Sequence, residues 1–138
     1  MKLGFTGTRK PLTAPQRTSL GELVASIEKH SPIHSVHHGD CVGADAAFDK
    51  VCYDLGLERH SHPGPEGPNR AHTDADVVHE ERWFLDRNRD IVDVADVLIA
   101  CPYTGETQRS GTWTTIRYAR RRRCQVIIVW PDGTVERE

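Results

Sequence analysis

Four short segments carry the side chains from which a binding or reaction site can be assembled. In Arg109-Ser110-Gly111-Thr112-Trp113, an arginine, a hydroxyl and two small residues precede a helical stretch. Ser110 is a natural N-cap, and the amides of Gly111 and Thr112 stand at the positive end of the helix dipole, where an anion is stabilised. The same residues also make a capped helix with no ligand. Gly7-Thr8-Arg9 ends an apolar run that starts at Lys2. Glycine there lets amides approach phosphate oxygens, and arginine adds a forked, charge-assisted contact. A tight turn with a solvated arginine is the plainer reading. Gly39-Asp40-Cys41-Val42-Gly43-Ala44-Asp45 leads into a helix of small residues, which can pack closely and aim free amides at an anion. Asp40 and Asp45 suit ribose hydroxyls, and suit helix capping equally well. Finally, Arg87-Asn88-Arg89 can clamp phosphate and read a base edge, or form surface ion pairs with Asp86, Asp90 and Asp93.

Other residues carry weaker signals. Trp113 and Tyr103 can stack on a base, as aromatic side chains do in nucleotide sites, though Trp113 also suits burial against a second subunit. Eight histidines invite a metal reading, especially His34, His37 and His38, or His60 and His62. On a strand His60 and His62 share a face, but no third ligand stands at a recognised spacing, so no metal site is assigned. His62 suits ligand contact or proton transfer. Cys41 lies near a helix start, where a thiol's pKa falls, but no partner base is identifiable. The run Arg120-Arg121-Arg122-Arg123 complements the negative pole of a helix end better than it makes a nucleic-acid patch.

These segments need a scaffold, and the rest of the chain describes one. Short apolar strands alternate with helical stretches, the pattern of a mainly parallel sheet with helices on both faces. Strands are expected at Lys2 to Thr6, His34 to His38, Leu57 to Ser61, Asp96 to Cys101 and Gln125 to Trp130. Helices are expected at Ala14 to Lys29, Val42 to Leu55, Asp74 to Val92 and Gly111 to Arg122. His62 to Asn69, rich in proline and glycine, reads as a surface loop. Thr134 to Arg137 reads either as a further edge strand or as a frayed tail. Ligands of such sheets bind beyond the carboxyl ends of the strands, which is where the glycine-rich segments fall.

The 138 residues fit one domain spanning the whole chain. A net charge of −2 argues against a dedicated nucleic-acid binder. Cys41, Cys52, Cys101 and Cys124 are widely spaced and form no disulfide framework or CxxC pair. With no signal peptide and no apolar run long enough to cross a bilayer, the expected setting is cytoplasmic and reducing, with no membrane partner.

The pieces GFTGTR, HHGDCVGADAAF, FLDRNRDIVDVADVLIACP and RSGTWTTIRYARRRRCQVIIVWPDG, in that order, resemble the SLOG superfamily of Rossmann-like domains. That group includes DNA-processing protein A (Smf), the cytokinin-activating LONELY GUY proteins and small stand-alone bacterial and phage domains. The resemblance implies a three-layer sandwich on a five-strand sheet in the order 3-2-1-4-5. It implies a nucleotide or nucleotide derivative as the ligand and a homodimer; no cofactor is assigned beyond that nucleotide. The implied site collects Gly7, Thr8, Arg9, Gly39, Asp40, Gly43, Asp45, Arg87, Asn88, Arg89, Ser110, Gly111 and Thr112, to which Arg109 and Trp113 are added from the residues themselves.

One departure bears on activity. LONELY GUY enzymes use a glutamate, with an arginine, to cleave a nucleotide's sugar–base bond. At the corresponding place this chain has Thr115. Asp40, Asp45 or Glu106 are the substitute acids and Arg89 the candidate arginine, and nothing in the sequence selects among them. The leading expectation is therefore nucleotide binding, with N-glycosidase activity and single-stranded nucleic-acid binding as the alternatives.

Overall fold

The computed structural model describes residues 1–138 as a single α/β sandwich. In chain order the elements are β1 (Lys2–Gly7), α1 (Ala14–His30), β2 (Ser35–His38), α2 (Ala44–Asp54), β3 (Arg59–Ser61), β4 (Val77–Val78), α3 (Phe84–Val94), β5 (Val97–Cys101), α4 (Gly111–Arg121), β6 (Gln125–Val129) and β7 (Val135–Arg137). The sheet order is β4-β3-β2-β1-β5-β6-β7, all parallel except the β6–β7 pair.

Alternation along the central strands builds two cores. Val97, Ile99 and Cys101 of β5 join Leu3, Phe5, Ile127 and Val129 on one face, under α1 and α2. Leu98 and Ala100 join Val126 and Ile128 on the other, under α3 and α4. A strand's side chains alternate with period two, so an unbroken apolar run such as VLIAC feeds both layers at once. On the first face the rings of Phe5 and Phe48 stack with centroids 4.3 Å apart. On the second, Gly4 lets α3 lie close: a Cβ there would come within 2.9 Å of the Ala95 Cβ.

Helix α1 begins where its residues direct. Thr13 accepts from the Gln16 amide at 3.1 Å as N-cap, and Pro15 occupies the first turn. The buried Gln16 side chain then donates to the carbonyls of Pro102 (3.1 Å) and Val129 (2.8 Å), tying the ends of β5 and β6 together beneath the site.

Three expectations need correction. The sheet has seven strands rather than five; the five expected strands occupy its middle in the expected relative order, and β4 and β7 extend its edges. The segment after Asp74 is not helical until Phe84. Its carboxylates and carbonyls are committed to β3: Asp76 accepts from the Arg59 amide at 2.9 Å, and the Arg59 guanidinium reaches the Asp74 carbonyl at 2.7 Å. That pairing holds Val77 and Val78 extended, a conformation β-branched residues favour. The loop after β3 is also only partly a surface loop, since His62 is buried. No helix is long and apolar enough to cross a membrane.

Candidate functional site

The carboxyl ends of β1, β2 and β5 open onto a cleft of about 470 Å³. Its walls are Gly7, Thr8 and Arg9 after β1; Gly39, Cys41 and Asp45 after β2; Phe84, Arg87 and Asn88 on α3; and Tyr103, Arg109, Ser110, Gly111, Thr112 and Trp113 after β5. The volume falls within the range of small-molecule sites.

Close packing of loop on helix sets this geometry. The Thr8 amide donates to the Cys101 carbonyl at 3.0 Å, and the Thr8 carbonyl accepts from the Ala44 amide at 2.9 Å, pinning the first loop between β5 and α2. Gly43, with φ +86°, makes that approach possible: the backbone conformation disfavours side chains, and a Cβ there would collide with the Arg9 carbonyl. At Gly7 a Cβ would run into Ala44.

The electrostatics favour an anion. Arg9, Lys10 and Arg109 stand exposed at the mouth, and none pairs with a carboxylate. Lys10 sits over the Tyr103 ring at 4.5 Å and Arg9 over Phe84 at 5.3 Å. At the α4 start, Ser110 Oγ accepts from the Trp113 amide, while the amides of Gly111 and Thr112 find no acceptor in the chain. Free amides and unpaired cations thus surround one space.

Arg87 differs from these cations. It is buried, and its Nη1 donates to the carbonyls of Gly39 and His62, the second at 3.1 Å. Its Nε donates to Asn88 Oδ1 at 2.7 Å. Arg87 therefore braces the β2 loop against α3 as well as flooring the cleft. The cleft's one carboxylate, Asp45, accepts from the Cys41 amide at 3.1 Å. Burial is the largest influence on it and raises its pKa above the ordinary carboxylate value, against His38, Arg87 and the amides. Burial and the neighbouring Asp45 also push the Cys41 thiol up despite Arg87, so its helix-start position does not activate it.

Several expected site residues do not present their functional groups to the cleft. The Asp40 carboxylate, 1% exposed, accepts from Arg70 Nε (2.9 Å) and from the amide and hydroxyl of Thr73 (2.8 and 2.7 Å). Burial works to raise its pKa, but these bonds prevail and hold it below the ordinary carboxylate range. It anchors the loop after Pro68 rather than facing the cleft. Gly43 lies behind the first loop. Arg89 is exposed and lies over the Tyr118 ring at 5.7 Å, away from the cleft. Glu106 pairs with Arg117 at 3.1 Å. Trp113 is 3% exposed, its indole N–H donating to the Thr104 carbonyl at 3.1 Å, so it supports the loop instead of offering a face. Thr115 is buried and bonds the Gly111 carbonyl within its own helix. In the arginine run, Arg120 pairs with Glu138 and Arg122 with Asp93 at 3.4 Å.

Sequence reasoning missed Lys10 and Phe84. Each stands directly beside a segment it did select, Lys10 after GTR and Phe84 three residues before Arg87 on the same helix face.

Fold and cleft together define a Rossmann-like α/β domain with a cleft at the carboxyl edge of its sheet. No protein-family model matches the sequence, and no curated protein matches it. Solved structures do match it. The molybdenum cofactor binding protein from the phototrophic bacterium Rippkaea orientalis superposes with a TM-score of 0.71 at 17% identity, covering 94% of this chain and 76% of that one. DNA processing protein A from Streptococcus pneumoniae gives 0.72 at 18% identity, covering 92% of this chain but 49% of its own. The molybdenum cofactor carrier protein from Chlamydomonas reinhardtii gives 0.66 at 18%, covering 92% and 74%.

Proposed function

We propose that the cleft binds a nucleotide or nucleotide-derived phosphorylated ligand. The observation that carries this reading is the convergence of three unpaired cations, Arg9, Lys10 and Arg109, with the free amides of Gly111 and Thr112. Phosphate sits at the α4 start, where dipole and amides act together. The exposed Tyr103 ring and the half-buried Phe84 ring offer planar faces for a base. Two structural neighbours, named for molybdenum cofactor binding and carriage, make that cofactor a second candidate for the same cleft.

Binding rather than hydrolysis is the favoured role. Cleaving a sugar–base bond calls for a carboxylate that steadies an oxocarbenium-like sugar. Asp45 is the cleft's sole acid, and it is buried against the sheet with its hydrogen bonds made inside the protein. A single-stranded nucleic-acid role is disfavoured by the pairing of Arg120 and Arg122 with acids. Self-association is part of the reading, supported by the exposed Trp83 and Leu85 beside the cleft wall, and sedimentation analysis tests it.

A thermal-shift panel of nucleotides, cyclic nucleotides, dinucleotides, ADP-ribose and molybdenum cofactor tests the ligand. At 100 times its Kd, a true ligand adds about 2.7 kcal/mol, on the order of 10 °C here. No shift with any member overturns the reading. Free base released from nucleoside monophosphates would restore hydrolysis, and strongly salt-dependent affinity for single strands would restore the nucleic-acid role.

A further inference from the structure

Outside the cleft, the sheet gathers four histidines from three parts of the chain. His37 of β2 stands opposite His60 of β3 in the parallel register. His62 follows His60 by two residues, so both rings emerge on the same face. His79 comes two residues after Val77, the partner of His60, and its amide bonds the Ser61 carbonyl at 2.9 Å. The rings form a tight group: His62 stacks on His79 with centroids 4.0 Å apart, and His37 lies 4.4 Å from His60.

We propose that His37, His62 and His79 form a transition-metal site suited to Zn²⁺, a reading independent of the ligand assigned to the cleft. One ring nitrogen from each of the three lies within 4.8 Å of the others. His37 Nδ1 and His62 Nε2 face one another at 2.8 Å. Tetrahedral zinc with Zn–N near 2.0–2.1 Å separates its nitrogens by about 3.3 Å, so binding requires the His37–His62 contact to open and the His62 and His79 rings, stacked at 9°, to turn toward a common point.

The outer nitrogens are held as metal-bound imidazoles require. His37 Nε2 meets Ser35 Oγ at 2.8 Å, leaving Nδ1 turned inward. Glu58 Oε1 lies 2.6 Å from His60 Nε2, and His60 Nδ1 lies 2.8 Å from His79 Nε2. A carboxylate only accepts, so His60 holds a proton on Nε2; with both rings neutral, its Nδ1 then accepts from the Nε2–H of His79. The relay from Glu58 through His60 leaves the Nδ1 lone pair of His79 for a metal. Such outer-shell partners orient ligating histidines and raise their basicity.

One further feature agrees. An opening of about 200 Å³, lined by His62, His79, Glu80, Arg82, Arg87 and Asp90, gives an ion access from solvent, with Arg82 held on Asp90 at 2.7 Å. Imidazole is a ligand type shared by Zn²⁺, Cu²⁺ and Ni²⁺, and a three-nitrogen set leaves a fourth position open.

The test uses tag-free, chelator-stripped full-length protein titrated with Zn²⁺ by calorimetry, and with Co²⁺ to read the ligand-field spectrum. One ion per chain and a nitrogen-ligated Co²⁺ band are expected. His62→Gln and His79→Gln should each weaken Zn²⁺ binding at least tenfold. Glu58→Gln, exposed and not a ligand, should weaken it about 10- to 100-fold with the fold intact. Absence of saturable Zn²⁺ binding by the wild-type chain overturns the proposal, as does unchanged affinity in both histidine variants.

Discussion

Arg87 donates to the main-chain carbonyl of His62 at 3.1 Å, and through that bond the floor of the cleft and the edge of the histidine cluster share one side chain. The same guanidinium closes on Gly39, so one buried cation holds the β2 loop, the loop after β3 and α3 together.

Removing it should be felt first as lost stability. Arg87→Ala leaves the buried carbonyls of Gly39 and His62 without their donor, at about 1–3 kcal/mol for each group left unpaired. Chemical denaturation reads this directly, and a loss below about 1 kcal/mol would show that the brace is not structural.

The mouth cations should behave oppositely. Arg9→Ala and Arg109→Ala remove exposed, unpaired side chains, so unfolding should shift by no more than about 0.5 kcal/mol. Each should weaken an anionic ligand by about 1.5–3 kcal/mol, or roughly 10- to 100-fold. Arg89→Ala is the control. Because Arg89 faces Tyr118, its removal should leave affinity unchanged.

At Gly43 the effect is conformational. Gly43→Ala places a side chain at φ +86° and against the Arg9 carbonyl. The strain alone costs on the order of 1–3 kcal/mol, and displacement of the first loop should lower affinity as well. Equal affinity in a destabilised variant would separate that loop from the ligand.

Asp40 supplies the pH dependence. Its folded pKa lies below the ordinary carboxylate range, so the folded state favours the ionised form. The contribution is complete above the unfolded value and is lost as pH falls through the folded one. The stability difference between wild type and Asp40→Asn should be constant near neutrality and shrink below about pH 4. A difference that does not narrow in acid would mean the Arg70 and Thr73 bonds do not depend on charge.

Much of this site was legible because its chemistry is local. Gly7, Gly39 and the Ser110-Gly111-Thr112 helix start mark strand ends by residue type alone, and an α/β sheet delivers strand ends to one edge. Arg87 and Arg89 were harder to separate by residue type, yet two residues apart on a helix they cannot face the same way. Only the packing of α3 decided which one turned inward.

Composition and periodicity by themselves determined the class of fold, the two-faced burial of VLIAC and QVIIV, and the loops that meet at the cleft. Each of these follows from patterns a few residues long. The tertiary structure alone decided that Asp40 anchors Arg70, that Trp113 is buried, that Val77 and Val78 add an edge strand, and that His37, His62 and His79 converge. Those outcomes depend on register between strands and on which way a helix presents its side chains. Contacts between distant segments set both, and no local spacing encodes them.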